Sequence, residues 1–394
     1  MTSAWADFQA CLAAALSDAE GKSRRRRLRA MTREPGGMVR LADDRRLIDF
    51  SSNDYLGLAL HPQVTARAAD YAARLGAGSA ASRLVSGTLP EHLAVEHRLA
   101  AFKGCESSLL FASGYQANVS VLPALIALMA GPVKVFADRL NHASLHAGLT
   151  QAGVRQIRFR HNDLDHLERL LTLADHQAPS RLIVTESVFS MDGDRADLHA
   201  LAALAEKHGT ILYVDEAHAT GVLGPRGAGL AAALPKDSPV IVMGTLGKAL
   251  GGFGAYVAGP QVLIDALIQT CGGFIYTTAP PPAVLGALDA ALDVVPAMDA
   301  ERARLLTAAE RVRAAAAARG LETFGSSTQI VPIGLPSEDA ALAAMARLEA
   351  GGILAIAIRP PTVPEGSSRL RLSLSAAHDD AAIDKLIAAI GALA

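Results

Sequence analysis

The sequence predicts an α/β protein on a mostly parallel sheet, followed by a smaller C-terminal α+β unit. Three observations carry this. Two apolar runs of strand length, residues 211–214 and 240–243, each stop in polar chemistry: Asp215-Glu216-Ala217-His218 after the first, Gly244-Thr245-Leu246-Gly247-Lys248 after the second. Reactive groups at the carboxyl ends of short apolar strands mark a parallel α/β sheet, whose ligands bind there. Residues 182–186 form a further buried-type strand, and 111–118 read as strand end, glycine and helix start. Beyond the rigid break at Pro280, Pro281 and Pro282, helical and strand-like patterns alternate.

Length and composition bound the function. At 394 residues the chain exceeds one typical domain, and at 51% hydrophobic it can bury a large core. A net charge of −2, from 37 basic and 39 acidic residues, argues against nucleic acid as a partner. No apolar run reaches membrane-spanning length, since residues 119–135 are interrupted by Pro123, Gly131, Pro132 and Lys134. The N-terminus lacks a basic-then-apolar signal pattern. Cys11, Cys105 and Cys271 have neither metal nor redox spacing, which suits a reducing cytoplasm.

The elements follow in order. Trp5, Phe8, Leu12 and Leu16 recur at helical spacing, predicting an amphipathic helix that docks on the fold. Arg24, Arg25, Arg26, Arg27, Arg29 and Arg33 follow. A solvated basic face is the default reading; a nucleic-acid tail or a grip on an anionic substrate tail are the alternatives. Residues 49–57 are polar and turn-rich, and 76–88 are small and hydroxyl-rich. Residues 91–102 read as a helix. The helix start at Gly114 and Tyr115 is suited to an anion such as a phosphate. Phe136-Ala137-Asp138 leads to His142, which could stack on a planar group; alone, such a histidine is more often structural. The strand at 182–186 ends in a polar turn, 187–194, and 255–258 is a short strand. Past the proline break come a helix near Leu305, a strand over 329–333, a helix over 342–348 and a strand over 353–358. Residues 369–374 alternate as a half-buried strand, and Asp379 and Asp380 open a last helix. This divides the chain into an N-terminal helix and arm (1–50), a large unit (51–285) and a small one (286–394).

The residue types at the two central strand ends suit pyridoxal phosphate (PLP). That cofactor needs a lysine Schiff base and a carboxylate partner for its ring nitrogen. Lys248 is the lysine, and Asp215 is the carboxylate that favours a protonated ring nitrogen. His218 could meet the ring oxygen, and Thr245 could help hold the phosphate. GTLGK is not a P-loop: its glycines are too close and no Ser or Thr follows Lys248. Either motif alone would mean little; in this order, each after an apolar strand, they are specific.

The longer motifs carry a resemblance: DFSSNDYLGLA (49–59), ASRLVSGT (81–88), FASGYQAN (111–118), NHASL (141–145), TESVFSMDGD (185–194), VDEAHATGVLGPRG (214–227), GTLGKALGGFGAYVAG (244–259), IYTTAPPPA (275–283) and AIRPPTVPEGSSRLRLSLSAAH (357–378). Over nearly its whole length the chain resembles the α-oxoamine synthases, PLP enzymes of the aspartate-aminotransferase fold. FGAYVAG and RPPTVPEG look like the biotin-pathway members, although GAGSAASRL has Ala-Ala where glycines are usual. The resemblance implies a fold-type I transferase with a mostly parallel seven-stranded sheet flanked by helices. It implies PLP on Lys248, with Asp215 at the ring nitrogen, His218 at the ring oxygen and His142 stacked on the ring. Gly114, Tyr115, Ser190 and Thr245 would line the cofactor. Asn53 and Arg371 would meet the substrate carboxylate, Thr362 the substrate, and an arginine of the 24–29 run, by spacing Arg27, the acyl substrate. It further implies condensation of L-alanine with a pimeloyl thioester of CoA or of an acyl-carrier protein. The homodimer it implies has shared sites, with Thr277 and Thr278 reaching the partner's phosphate. An aminotransferase would use the same fold and lysine, and a non-catalytic subunit would lack the lysine.

Overall fold

The computed structural model describes residues 3–174 and 180–393. Seven of its strands make one sheet. Three short strands come before it: β1 (Met31–Glu34), β2 (Met38–Leu41) and β3 (Arg46–Asp49), antiparallel in sequence. Ile48 and Asp49 of β3 pair in parallel with Ile353 and Leu354, so the N-terminal arm is tied to the C-terminal unit.

The central sheet comprises β4 (Ser107–Phe111), β5 (Val133–Asp138), β6 (Gln156–Phe159), β7 (Ser180–Glu186), β8 (Ile211–Asp215), β9 (Val240–Thr245) and β10 (Ala255–Gly259), in the order β4-β10-β9-β8-β7-β5-β6. β10 runs antiparallel to both neighbours; the other pairings are parallel. Helices cover both faces, so β7 to β9 are buried almost throughout, which is why they read as continuous apolar runs. Every parallel strand ends on the same edge of the sheet, and that edge carries the polar residues.

The C-terminal unit holds β11 (Ile330–Gly334), β12 (Ile353–Leu354), β13 (Ile356–Ile358) and β14 (Arg369–Ser373), with β14 between β11 and β13. Two expectations are corrected. β14 is buried at all five residues, not half-buried. Its alternating arginines stay inside because each has partners: Arg369 pairs with Asp192, and Arg371 with Ser190, Asn53 and Ser373. The N-terminal helix Ala4–Gly21 forms, but it does not dock on its own chain. Trp5 is 64% exposed, and Phe8, Leu12 and Leu16 are about equally open. The arginines after it are solvated from Arg25 to Arg29, and some are paired: Arg24 binds Glu338 and Glu365 and Arg29 binds Glu349.

Helix Pro282–Val294, just past the proline break, lies along helix Pro62–Leu75. Gly286 permits this approach: a Cβ there would sit 2.4 Å from the Arg67 carbonyl oxygen. Among the described residues, no helix is long and apolar enough to cross a membrane.

Candidate active site

Strand register assembles the site. Glu186 of β7 is paired with Asp215 of β8, and Asp215 with Met243 of β9, so three strand ends lie side by side. Asp215 is buried, with Oδ1 accepting the Ala217 N–H (2.8 Å) and Oδ2 accepting from Asn118 Nδ2 (2.9 Å). Asn118 is fixed in turn, since its Oδ1 accepts the Tyr213 hydroxyl at 2.9 Å and its Nδ2 also reaches Ser144 Oγ at 2.9 Å. Ser144 Oγ stands 2.7 Å from His142 Nδ1. One polar chain therefore joins His142 to Asp215. The His142 backbone N–H donates to Glu186 Oε1 at 2.6 Å, which sets the start of helix Ala143–Gln151. Burial pushes the Glu186 carboxyl well above the usual range, and the negative charge of Asp215 adds to this.

A second chain starts at Lys248, in the turn after β9. Lys248 Nζ lies 2.7 Å from His218 Nε2, and His218 Nδ1 lies 2.6 Å from Tyr55 Oη. Tyr55 Oη is 3.0 Å from Asn53 Oδ1, which accepts from Arg371 Nη2 at 3.1 Å. Burial pushes the Lys248 amine down to about 8; Arg371 adds to this, while Asp215 and Glu186 oppose it. Burial likewise holds His218 well below the ordinary imidazole range, aided by Lys248 and Arg371. Gln329 Nε2, just before β11, donates to the His218 carbonyl at 2.9 Å, so residues far along the chain also shape this pocket.

The structure thus gathers Asp215, His218, Lys248, His142, Asn53 and Arg371. Thr245 and Gly114 face each other beside them: a Cβ on Gly114 would lie 2.5 Å from Thr245 Cγ2. Ser113 caps helix Gly114–Leu128 by accepting the Gln116 N–H at 3.1 Å. The first-turn amides of Gly114 and Tyr115 have no acceptor within the helix. Ser190 presents its carbonyl to Arg371 Nε at 2.5 Å. Others stand apart. Thr278 bridges Ser82 on the loop that also holds Thr277. Arg27 is 74% exposed beside Glu20, whereas Arg26 Nη2 reaches Thr362 Oγ1 at 3.3 Å. Tyr55, Asn118, Ser144 and Glu186 escaped the sequence reading. Glu186 had a usable signal, an acid ending an apolar strand just as Asp215 does. Tyr55 was hidden inside a segment that reads as a turn.

Residues 45–390 match the aminotransferase class I and II family. The chain is 59% identical over 381 residues to a putative 8-amino-7-oxononanoate synthase of Bordetella parapertussis, covering 96% of each chain. It is 57% identical to the 8-amino-7-oxononanoate synthase of Gluconacetobacter diazotrophicus, covering 95% of each. A serine palmitoyltransferase of S. paucimobilis with PLP and myriocin bound superposes with a TM-score of 0.89, at 27% identity over 100% of this chain and 98% of that one.

PLP is the cofactor these relationships give, and the pocket fits it. Thr245 Oγ1 is buried without a hydrogen-bond partner, which leaves a hydroxyl for a phosphate oxygen. The missing Cβ of Gly114 leaves space beside it. Lys248 has an amine easily made neutral, as condensation with an aldehyde needs, and Asp215 supplies the fixed carboxylate. The chain belongs to the aminotransferase class I and II family and, within it, to the 8-amino-7-oxononanoate synthases, PLP-dependent acyltransferases.

Proposed function

We propose that the protein condenses L-alanine with a pimeloyl thioester, releasing carbon dioxide, a free thiol and 8-amino-7-oxononanoate, a step of biotin biosynthesis in the cytoplasm. The observation that carries the reading is the unbroken polar chain from Lys248 through His218, Tyr55 and Asn53 to Arg371. It links a basic amine to a cation suited to a carboxylate. The names of the relatives support the same product.

Lys248, Asp215, His218, Thr245, Gly114, Tyr115 and Ser190 would hold the cofactor, and His142 would stack on its ring. Bound PLP supplies an electron sink for the pair left when a bond to the amino-acid α-carbon breaks. Arg371 and Asn53 receive the alanine carboxylate, which fixes which α-bond faces Lys248. Lys248 Nζ, with its lowered pKa, takes the α-proton, and proximity makes the transfer effectively intramolecular. His218, neutral at physiological pH, donates to or accepts from its neighbours without adding charge. Asp215, braced by Ala217 and Asn118, would pair with the ring nitrogen. Thr362 and an arginine of the 24–29 run meet the acyl substrate. Residues 51–285 form the cofactor unit and 286–394 the smaller unit. Two copies pair with shared sites, placing Thr277 and Thr278 near the partner's phosphate.

The test incubates the purified protein with PLP, pimeloyl-CoA and either L-alanine or glycine, and reads products by mass spectrometry. 8-Amino-7-oxononanoate from alanine is expected. A product from glycine and a short acyl-CoA alone would move the substrate assignment. Conversion of a keto acid without condensation would replace the proposal with transamination.

A further inference from the structure

The described residues include one imidazole gripped by carboxylates on both nitrogens. His161 Nδ1 lies 3.0 Å from Asp138 Oδ1, and His161 Nε2 lies 2.8 Å from Asp194 Oδ2. A neutral imidazole has one donor and one acceptor, and its acceptor would face a carboxylate. With both aspartates ionised, the geometry favours the imidazolium. Burial works against that charge, but the hydrogen bonds and charges of Asp138 and Asp194 outweigh it and lift the imidazole to about 10. Phe189 packs edge-on against the ring, centroids 4.4 Å apart.

The two carboxylates differ in freedom. Asp138 ends β5, is fully buried, and accepts the Leu140 N–H at 2.8 Å and the Asn162 N–H at 3.0 Å. Asp194 belongs to a loop, residues 187–196, closed at its base by Phe189 N–H to Asp194 O (3.1 Å) and Ala196 N–H to Ser187 O (3.1 Å). Besides His161, the Asp194 carboxylate has Asn162 Nδ2 at 2.6 Å, while its Oδ1 is buried without a partner. The same loop is held by the C-terminal unit: the Gly193 carbonyl accepts from Ser327 N and Thr328 Oγ1 (3.0 and 2.8 Å), and Asp192 pairs with Arg369. At its centre the Ser190 carbonyl holds Arg371 Nε.

We propose that His161 is a positioning residue for amino-acid binding: clamped as a cation between Asp138 and Asp194, it fixes the 187–196 loop so that Ser190 holds Arg371 ready for the substrate carboxylate. This rests on the reading of Arg371 as the carboxylate-binding residue. Without the cation, the buried Asp138 carboxylate and the half-buried Asp194 carboxylate face each other, and the loop-borne Asp194 is the one that yields. Ser190 moves with it, and Arg371 loses its seat. The cofactor keeps Lys248, Asp215, His218 and Thr245, none of which lies on this loop, and the residues read as meeting the acyl substrate lie outside it as well.

The test uses PLP-loaded protein in four forms: wild type, His161→Gln, Asp194→Asn and Arg371→Ala. L-alanine affinity is read from the change in cofactor absorbance, beside PLP content and KM for pimeloyl-CoA. His161→Gln should weaken alanine binding by about tenfold, the scale of a lost charge-assisted hydrogen bond. Its PLP content and thioester KM should stay within about twofold of wild type. Asp194→Asn should shift alanine affinity in the same direction. Wild-type alanine affinity in His161→Gln overturns the proposal, as does parallel loss of alanine affinity, thioester KM and PLP. Failure of both loop variants to yield folded, PLP-loaded protein also overturns it, because the contact would then serve the fold. Arg371→Ala separates the two readings: if it binds alanine like wild type, the carboxylate assignment fails, whatever His161→Gln does.

Discussion

Lys248 Nζ lies 2.7 Å from His218 Nε2, and the proton on that contact is set by what stands behind the histidine. With a neutral amine, His218 donates from Nε2 to Lys248 and accepts from Tyr55 at Nδ1. With a charged amine, Lys248 donates to Nε2, Nδ1–H donates to Tyr55, and the tyrosine hydrogen turns to Asn53. Both arrangements satisfy every group, so Lys248 can change charge while His218 remains neutral.

The first prediction concerns that amine. Burial places Lys248 at about 8 rather than the ordinary 10.5. In PLP-free protein, acetic anhydride labelling of Lys248, followed by peptide mass mapping, should rise with pH around a midpoint near 8. A midpoint at the ordinary lysine value would contradict the burial argument.

Tyr55→Phe removes the hydroxyl behind His218 while keeping the ring. A buried Nδ1 without a partner costs about 1–3 kcal/mol, read as a lower urea midpoint. The variant should keep PLP and lose roughly tenfold in kcat, because proton placement on His218 is no longer fixed. Wild-type kcat would mean that Tyr55 has no part in proton placement.

A buried ion pair anchors the strand end next to Asp215. Lys103 Nζ meets Glu216 Oε2 at 2.6 Å with both side chains buried, and Glu216 Oε1 accepts the Ala231 N–H at 2.9 Å. Lys103→Met leaves a buried carboxylate unpaired and should cost about 3–5 kcal/mol. Adding Glu216→Gln should recover part of that loss. If the double variant is as unstable as the sum of the two singles, the pair is not coupled.

The clamp on His161 also has a pH signature. Its pKa in the folded protein, about 10, lies above the ordinary 6.5, so the folded state binds more protons between those values. Its contribution to stability is complete below 6.5 and is lost as pH rises toward 10. The Tm difference between wild type and His161→Gln should therefore shrink from pH 6 to pH 10. A difference that grows over this window contradicts the assignment of charge.

What could be read in advance followed physical rules about strands. Asp215 and Lys248 stood out because apolar runs end beside them, and the parallel sheet puts such ends on one edge. His161 and Asn118 could not be found that way: each matters through partners distant in sequence, such as Asp194 and Asp215. Arg369 and Arg371 suggested a half-exposed strand because alternation is local, whereas their burial depends on Asp192 and Asn53. Trp5 and Phe8 marked a helix correctly, but periodicity names no surface for the apolar face to cover.

The central claim, that Lys248 carries the cofactor, has a direct test. PLP-loaded protein is reduced with borohydride, digested and mapped by mass spectrometry. The account predicts a phosphopyridoxyl group on the Lys248 peptide and none in Lys248→Ala. A stable adduct on another lysine, with Lys248 unmodified, would contradict it.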